Sequence, residues 1–315
     1  MRSEGGQKAA LRFQDVSWEK RAAMIYLTRF SLPGEGSELS FLENNRENKR
    51  TCYTSRYPFG VFFGREAPAL ELEPVTILCG GNGSGKTTIL NLIGEKLGLR
   101  RGTVFNRSSF FGEYLEWCRV ETAPAFQGAK EHSRVITSDD VFDYLLDLRC
   151  INENIENRRR ELLEEYADAR YAKFQMRSME DVDRLRQVVD AQRRTGSRYV
   201  RDRVMNDVVE KSNGESAFAF FTKEIQEDGL YLLDEPENSL SPRLQEELRA
   251  FLEDSARFYR CQIVISTHSP FLLAMRGAKI YDLDSVPIQP RPWTELEHIR
   301  AYWQFFQDHR EELED

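Results

Sequence analysis

Residues 75–88 read Val-Thr-Ile-Leu-Cys-Gly-Gly-Asn-Gly-Ser-Gly-Lys-Thr-Thr. The first five residues are short, apolar or β-branched and predict a buried strand. Glycines then let the chain turn tightly enough for several N–H groups to face one anion. Gly80, four further residues and Gly85-Lys86-Thr87 have the spacing of a phosphate-binding loop. In such a loop Lys86 reaches the β- and γ-phosphates and the Thr87 hydroxyl ligates Mg²⁺. The amphipathic run Ile89-Leu90-Asn91-Leu92-Ile93 predicts a helix starting near Lys86, whose dipole adds positive potential at its N-terminus. Gly80, Gly81, Asn82, Gly83, Ser84, Gly85, Lys86, Thr87 and Thr88 are therefore candidate ligands of a nucleoside triphosphate.

Two downstream stretches extend the site. Leu230-Tyr231-Leu232-Leu233 is an apolar strand that delivers Asp234 and Glu235 to its carboxyl end, where parallel sheets bind ligands. Asp234 is placed to hold Mg²⁺ beside Thr87, and Glu235 to polarise the water that attacks the γ-phosphate. Cys261-Gln262-Ile263-Val264-Ile265 is a second such strand and ends in Ser266-Thr267-His268. A lone histidine is usually structural. Its place one strand past an acidic pair gives His268 a role beside the γ-phosphate or the attacking water. Ser212-Asn213-Gly214-Glu215-Ser216 precedes an apolar helix. It reads either as a capped helix start or as a second anion site.

Composition narrows the class. The 315 residues carry 40% hydrophobic and 30% charged side chains with a net charge of −8. This is a globular composition, and nucleic-acid binding would need a local basic patch. No stretch reaches membrane-spanning length, and residues 1–6 lack the apolar core of a signal peptide. The five cysteines are scattered without a Cys-x-x-Cys pair, which predicts reduced thiols in a cytoplasmic protein.

Along the chain, residues 1–22 read as a flexible lead-in and Met24–Phe30 as a first strand. Residues 33–50 read as an exposed loop, and Tyr57–Phe63 and Ala69–Glu73 as further strands. Gly102 and Gly112 mark turns, and Arg134–Thr137 reads as a strand. Residues 139–211 lack proline and contain one glycine, Gly196. Leu145, Leu148, Ile151, Ile155, Leu162, Tyr166 and Ala169 recur at helical spacing, as do Met179, Val182, Leu185, Val188 and Val189. Two or three helices forming a lobe are expected. From residue 230 strands and helices alternate, which implies a mostly parallel sheet. Residues 286–315 read as a terminal helix, either packed on the body or free for docking. Arg158–Arg160 and Arg193–Arg203 form basic clusters, read as solvated helix faces paired with acids. Asp282-Leu283-Asp284 would suit a metal-dependent nuclease, but no domain of suitable length surrounds it.

The order of phosphate loop, helical lobe, Ser-x-Gly-Glu-Ser, Leu-Asp-Glu-Pro with Asn238-Ser239-Leu240-Ser241, and Ser-Thr-His resembles the ATP-binding cassette (ABC) ATPases. Within them it looks most like the soluble SMC- and RecF-like, AAA-labelled ATPases. The resemblance implies an α/β P-loop fold: an ABC-type head over 23–285 with the lobe inserted at about 139–211 and a tail at 286–315. It implies ATP and Mg²⁺ as cofactors, with Thr87 and Asp234 at the metal and Glu235, His268 and Lys86 catalytic. Ser212, Gly214 and Glu215 would complete the site of a partner protomer in a head-to-tail homodimer, alone or within a larger assembly. An upstream aromatic often stacks on adenine; Tyr57 and Phe59 stand at a suitable distance and either would also suit the core, with Tyr57 the candidate. Two features depart from the family. The signature is not Leu-Ser-Gly-Gly-Gln, and Ser138-Asp139-Asp140 stands where a metal-contacting glutamine is expected. Partners implied are a protein effector or nucleic acid in DNA maintenance or antiphage defence, without a membrane. The alternatives are a transporter's ATPase subunit and a nucleotide-sensing scaffold.

Overall fold

The computed structural model describes residues 23–45, 52–53, 55–172, 182–205 and 212–314. The expected lead-in at 1–22 and the lobe positions 173–181 and 206–211 lie outside these residues. The chain opens with β1 (Leu27–Ser31), α1 (Glu35–Asn44), β2 (Leu70–Glu71), β3 (Val75–Cys79) and α2 (Lys86–Leu97). It continues through β4 (Arg100–Arg101), α3 (Phe111–Trp117), β5 (Arg119–Thr122), α4 (Phe126–Ala129) and β6 (Arg134–Thr137). The lobe follows as α5 (Ser138–Tyr171), α6 (Val182–Arg193) and α7 (Gly196–Arg201), then α8 (Asn213–Glu224) and β7 (Leu230–Asp234). The last part holds α9 (Pro242–Phe258), β8 (Gln262–Ser266), α10 (Pro270–Leu273), β9 (Lys279–Asp282), β10 (Gln289–Pro290), α11 (Glu297–Asp308) and α12 (Arg310–Glu314).

Seven strands form the main sheet in the order β10-β9-β3-β8-β7-β6-β4. Every pairing in it is parallel except β10 with β9. Alternate residues of each strand face opposite sides, so each strand feeds two cores. Leu230, Leu232 and Val264 join Ile89, Leu92 and Ile93 of α2 on one face. Tyr231, Leu233, Ile263 and Ile265 join Leu248 and Leu252 of α9 on the other. The register aligns the carboxyl ends: Leu78 lies opposite Ser266, Ser266 opposite Asp234 and Asp234 opposite Thr137. With neighbouring strands about 4.8 Å apart, the loops leaving β3, β7 and β8 emerge as one row.

A smaller antiparallel sheet, β2-β1-β5, sits beside the main one. Gln262 joins the two. Its Oε1 accepts from the backbone N–H of Tyr26 (2.8 Å) and Leu27 (2.7 Å), and its Nε2 donates to the carbonyls of Leu27 (2.8 Å) and Glu73 (3.2 Å). The side chain is fully buried and all four of these bonds go to backbone.

The first third departs from the sequence reading. Residues 35–44 of the expected loop are the helix α1, because Phe41 stacks on Phe59 at 4.5 Å and Glu38 is buried, accepting from Gly60 N (3.1 Å) and Tyr114 Oη (3.0 Å). Tyr57–Phe63 is not a strand but a run of turns, in which Phe59 and Phe62 are buried without ladder bonds. Ala69–Glu73 contracts to β2, and Gly112 lies inside α3. In the lobe, α6 and α7 fold back on α5 around Leu162, Ala191, Tyr199 and Val200. The tail is anchored by Leu296 and Ile299, while Tyr302, Trp303, Phe305 and Phe306 of α11 are exposed. Among the described residues no helix is long and apolar enough to cross a membrane.

Replacing Gln262 by leucine leaves two backbone N–H groups and two carbonyls buried without their partner. A loss of about 3 kcal/mol in stability is expected, read from urea unfolding, whereas Gln262→Glu keeps the two N–H acceptor bonds and should itself be destabilising through its buried charge.

Candidate functional site: a phosphate cradle at the carboxyl edge of the sheet

The turn from β3 into α2 places Lys86 at the first helical position and buries it to 5% exposure. Gly85 adopts φ +97°, and a Cβ there would lie 2.6 Å from the Phe62 ring, so only glycine fits. The Lys86 ammonium donates to the carbonyls of Gly80 (2.8 Å) and Gly81 (3.2 Å) and meets Nε2 of His268 at 2.7 Å. An ammonium can only donate, so Nε2 accepts and the imidazole proton sits on Nδ1. No carboxylate pairs with Lys86 among the described residues. A buried cation held only by neutral acceptors is costly and fits an anion that arrives from outside.

The acids fall where the register puts them. Thr87 Oγ1 donates to Asp234 Oδ1 at 3.1 Å, and Ser266 Oγ donates to the same oxygen. Burial pushes the Asp234 carboxyl above its ordinary value, while the bonds from Ser266 and Thr87 pull it down. A hydroxyl and a carboxylate are hard oxygen donors that suit Mg²⁺, which takes few protein ligands and completes its shell with phosphate and water. Among the described residues no cluster of three or more His, Cys, Asp or Glu side chains offers an all-protein metal cage. Glu235 has φ +48°, its N–H donates to Ser266 O (3.0 Å), and its Oε1 lies 3.7 Å from His268 Nε2. Asn238 Nδ2 donates to Glu235 Oε2 at 3.1 Å. The expected catalytic residues Lys86, Glu235 and His268 thus meet in one place, beside the expected metal ligands.

Other expected residues lie at its margins. Tyr57 lines a cavity of 780 Å³ with Thr87, Thr88, Arg101, Phe105, Ser138, Asp139 and Asp234. Its hydroxyl donates to Thr88 Oγ1 (3.1 Å) and its ring lies along Phe111 at 6.1 Å. In the Ser138-Asp139-Asp140 stretch, Asp140 is consumed by a capping box. Its carboxylate accepts from Thr137 N (2.7 Å) and Thr137 Oγ1 (2.9 Å). Ser138 and Asp139 remain facing the cavity that holds Thr87 and Asp234.

Ser212 caps α8, accepting from Glu215 N, while Glu215 accepts from Ser212 N (3.0 Å) and Ser212 Oγ (2.9 Å). The helix-cap reading of this pentapeptide is therefore correct within one chain. Gly214 packs so closely that a Cβ would lie 2.7 Å from Leu244 Cδ1 and 3.4 Å from the Ser239 carbonyl.

The sequence reading missed Glu237. Its Oε1 accepts from Thr267 Oγ1 (2.6 Å), His268 N (2.7 Å) and Ser269 N (3.2 Å), fixing the backbone that carries His268. Burial pushes its carboxyl up, opposed by these bonds. A third acid two residues past Glu235 was the available signal. His298 was missed too. Its ring lies 6.4 Å from that of His268, and burial and the neighbouring His268 lower its basicity.

Part of each basic cluster is paired with acids. Arg158 meets Glu161 (2.7 Å) and Glu165 (3.2 Å), and Arg194 meets Asp190 (2.7 Å) and Asp202 (2.6 Å). Asp282 pairs with Arg291 at 3.5 Å, and Asp284 turns to the phosphate loop.

Comparison with known proteins follows this geometry. Residues 131–274 match the family described as AAA domain, putative AbiEii toxin, Type IV TA system. The match runs from just before β6 through α10 and includes Asp234, Glu235 and His268; the phosphate loop lies upstream of it. The fold is α/β, a mostly parallel sheet flanked by helices, with the strand–loop–helix of a P-loop at Val75–Leu97. No curated protein matches it.

Among solved structures, the Smc head domain from Pyrococcus furiosus, bound to the C-terminal domain of ScpA, is 11% identical. That likeness covers 91% of this chain and 100% of the other, with a TM-score of 0.40. A putative metal-chelate type ABC transporter is 16% identical, covering 73% and 77%, with a TM-score of 0.35. A dimeric ATP-binding cassette bound to ADP and Pi is 15% identical, covering 72% and 90%, with a TM-score of 0.34.

Because Gln can present the same acceptor oxygen, Glu237→Gln should keep ATP turnover within about threefold of the parent. Glu237→Ala should lower it about tenfold or more at unchanged ADP affinity. Steady-state phosphate release and ADP titration measure both.

Proposed function

We propose that the chain binds and hydrolyses Mg²⁺-ATP at composite sites in a head-to-tail homodimer. The observation that carries this reading is the buried Lys86 ammonium, which has no carboxylate partner and lies beside Glu235, Asp234 and His268. A triphosphate entering the cradle draws Lys86 off the Gly80 carbonyl and off His268. The freed imidazole then faces the γ-phosphate. Glu235 takes a proton from water as its oxygen attacks the γ-phosphorus, the bond to the bridging oxygen breaks, and ADP leaves. Thr87 and Asp234 would hold Mg²⁺, which would supply charge neutralisation on the phosphate oxygens.

The capped start of α8 supports the dimer. In that dimer this helix end would face an anion held by the other copy, and Gly214 packs it closely against the Asn238–Ser241 loop that follows Glu235. Ser212, Gly214 and Glu215 of one copy would close over the triphosphate held by the other. Closure and release would move the lobe and so act on a partner. An effector protein or nucleic acid in DNA maintenance or antiphage defence suits this mechanism in the cytoplasm. The matched family's description as a putative toxin of a toxin–antitoxin system favours the defence setting and a protein effector. The paired arginines of the lobe weigh against a preformed nucleic-acid surface there.

Glu235→Gln is expected to slow turnover about a hundredfold or more and to accumulate an ATP-bound dimer. Phosphate release and light scattering after size exclusion measure this. Unchanged turnover with an unchanged oligomer would remove the mechanism.

A further inference from the structure

In the Asp282-Leu283-Asp284 stretch, Asp284 makes one of the shortest contacts to the phosphate loop. Its Oδ2 accepts from Gly81 N at 2.5 Å across a separation of 203 residues. Arg65 approaches the same loop. Its Nη1 donates to Ser84 O (2.6 Å) and Leu283 O (3.2 Å), and its Nη2 reaches Gly83 O at 3.4 Å. Leu283 is itself tied to the strand before the loop, its N–H donating to Cys79 O at 2.8 Å. Ser285 Oγ donates to Asp282 O (2.7 Å) and Pro287 O (2.9 Å), which holds the turn that carries Asp284.

In a trans peptide the N–H and C=O of one plane point in opposite directions. The Gly80–Gly81 plane is gripped at both ends. Asp284 takes its N–H and Lys86 takes its C=O at 2.8 Å. The Ser84–Gly85 plane has its carbonyl on Arg65, so the Gly85 N–H is turned the other way, towards the cradle. Glycines are the residues least able to hold such planes by themselves.

From this we infer that Asp284 and Arg65 are positioning residues that set the peptide planes of the phosphate loop before nucleotide arrives. They are not catalytic residues, since neither touches the expected phosphate positions. They reduce the ordering that binding must otherwise supply, and so act on affinity more than on the chemical step. The inference rests on the nucleotide reading above, and the test separates the two.

The test measures the affinity of the full chain for a fluorescent N-methylanthraniloyl ADP, with kcat and KM for ATP and a thermal melt, for the parent and four variants. Asp284→Ala and Arg65→Ala should each weaken ADP binding about tenfold and raise KM similarly, with kcat at saturation within about threefold. Asp284→Asn keeps an acceptor for Gly81 N and should restore affinity to within about threefold of the parent. Arg65→Lys has one ammonium in place of the fork and should restore it only in part. If an alanine variant fails to fold, the Asn and Lys variants carry the test. Asp284→Asn near parental affinity with Arg65→Lys measurably weaker supports the inference, and any other pairing of those two overturns it. Alanine variants that melt as folded proteins and bind ADP as the parent does also overturn it. A parent that binds no ADP overturns the nucleotide reading itself.

Discussion

The candidate site turns on a buried ammonium that no carboxylate pairs with among the described residues. Lys86 is buried at the start of α2, and its ammonium rests on two backbone carbonyls and an imidazole nitrogen. Desolvating a cation without an anion costs several kcal/mol, even after relaxation. The fold accepts that cost at a point where three strands end together. Asp234 and Glu235 lie close by but are turned to other partners: Thr87 and Ser266 for the first, Asn238 for the second. The cradle is thus kept positive and its acids kept available. On the proposed function, a phosphate chain entering this site would supply the anion that Lys86 lacks.

Placement of the site follows from the parallel sheet. Leu78, Ser266, Asp234 and Thr137 occupy one register line across four strands. Side chains one or two residues further on therefore converge without special loops. This part was legible in the sequence, because strands buried on both faces must be largely apolar, as Ile77-Leu78 of β3, Leu230–Leu233 of β7 and Ile263–Ile265 of β8 are. The glycine spacing at 80–85 and the acids at 234 and 235 needed nothing beyond that pattern. The helices of the lobe were legible for a related reason, since their buried positions recur at three and four residues.

What escaped the sequence reading was carried by polar side chains at long range. Gln262 welds the small sheet to the large one by four bonds to backbone. Read as part of an apolar strand, it carries no mark of that role. The helix α1 is mostly polar, and its one buried acid, Glu38, is stabilised by Gly60 and Tyr114, which the local pattern cannot supply. Glu237 fixes the His268 backbone across a separation of 31 residues. The same limit applies to Asp284, whose significance depends on a contact with Gly81. Such residues look solvated until the fold brings their donors to them. The Ser212–Ser216 turn shows the converse: one chain satisfies it as a helix cap, and its anion-binding reading needs a second copy.

The most direct measurement is a crystal structure of the chain with Mg²⁺ and a non-hydrolysable ATP analogue. The account predicts that Lys86 Nζ leaves His268 Nε2 and bonds to β- and γ-phosphate oxygens, with the Ser212–Glu215 turn of a second copy facing the γ-phosphate. An analogue bound elsewhere, with Lys86 still resting on Gly80 O and His268, would contradict it.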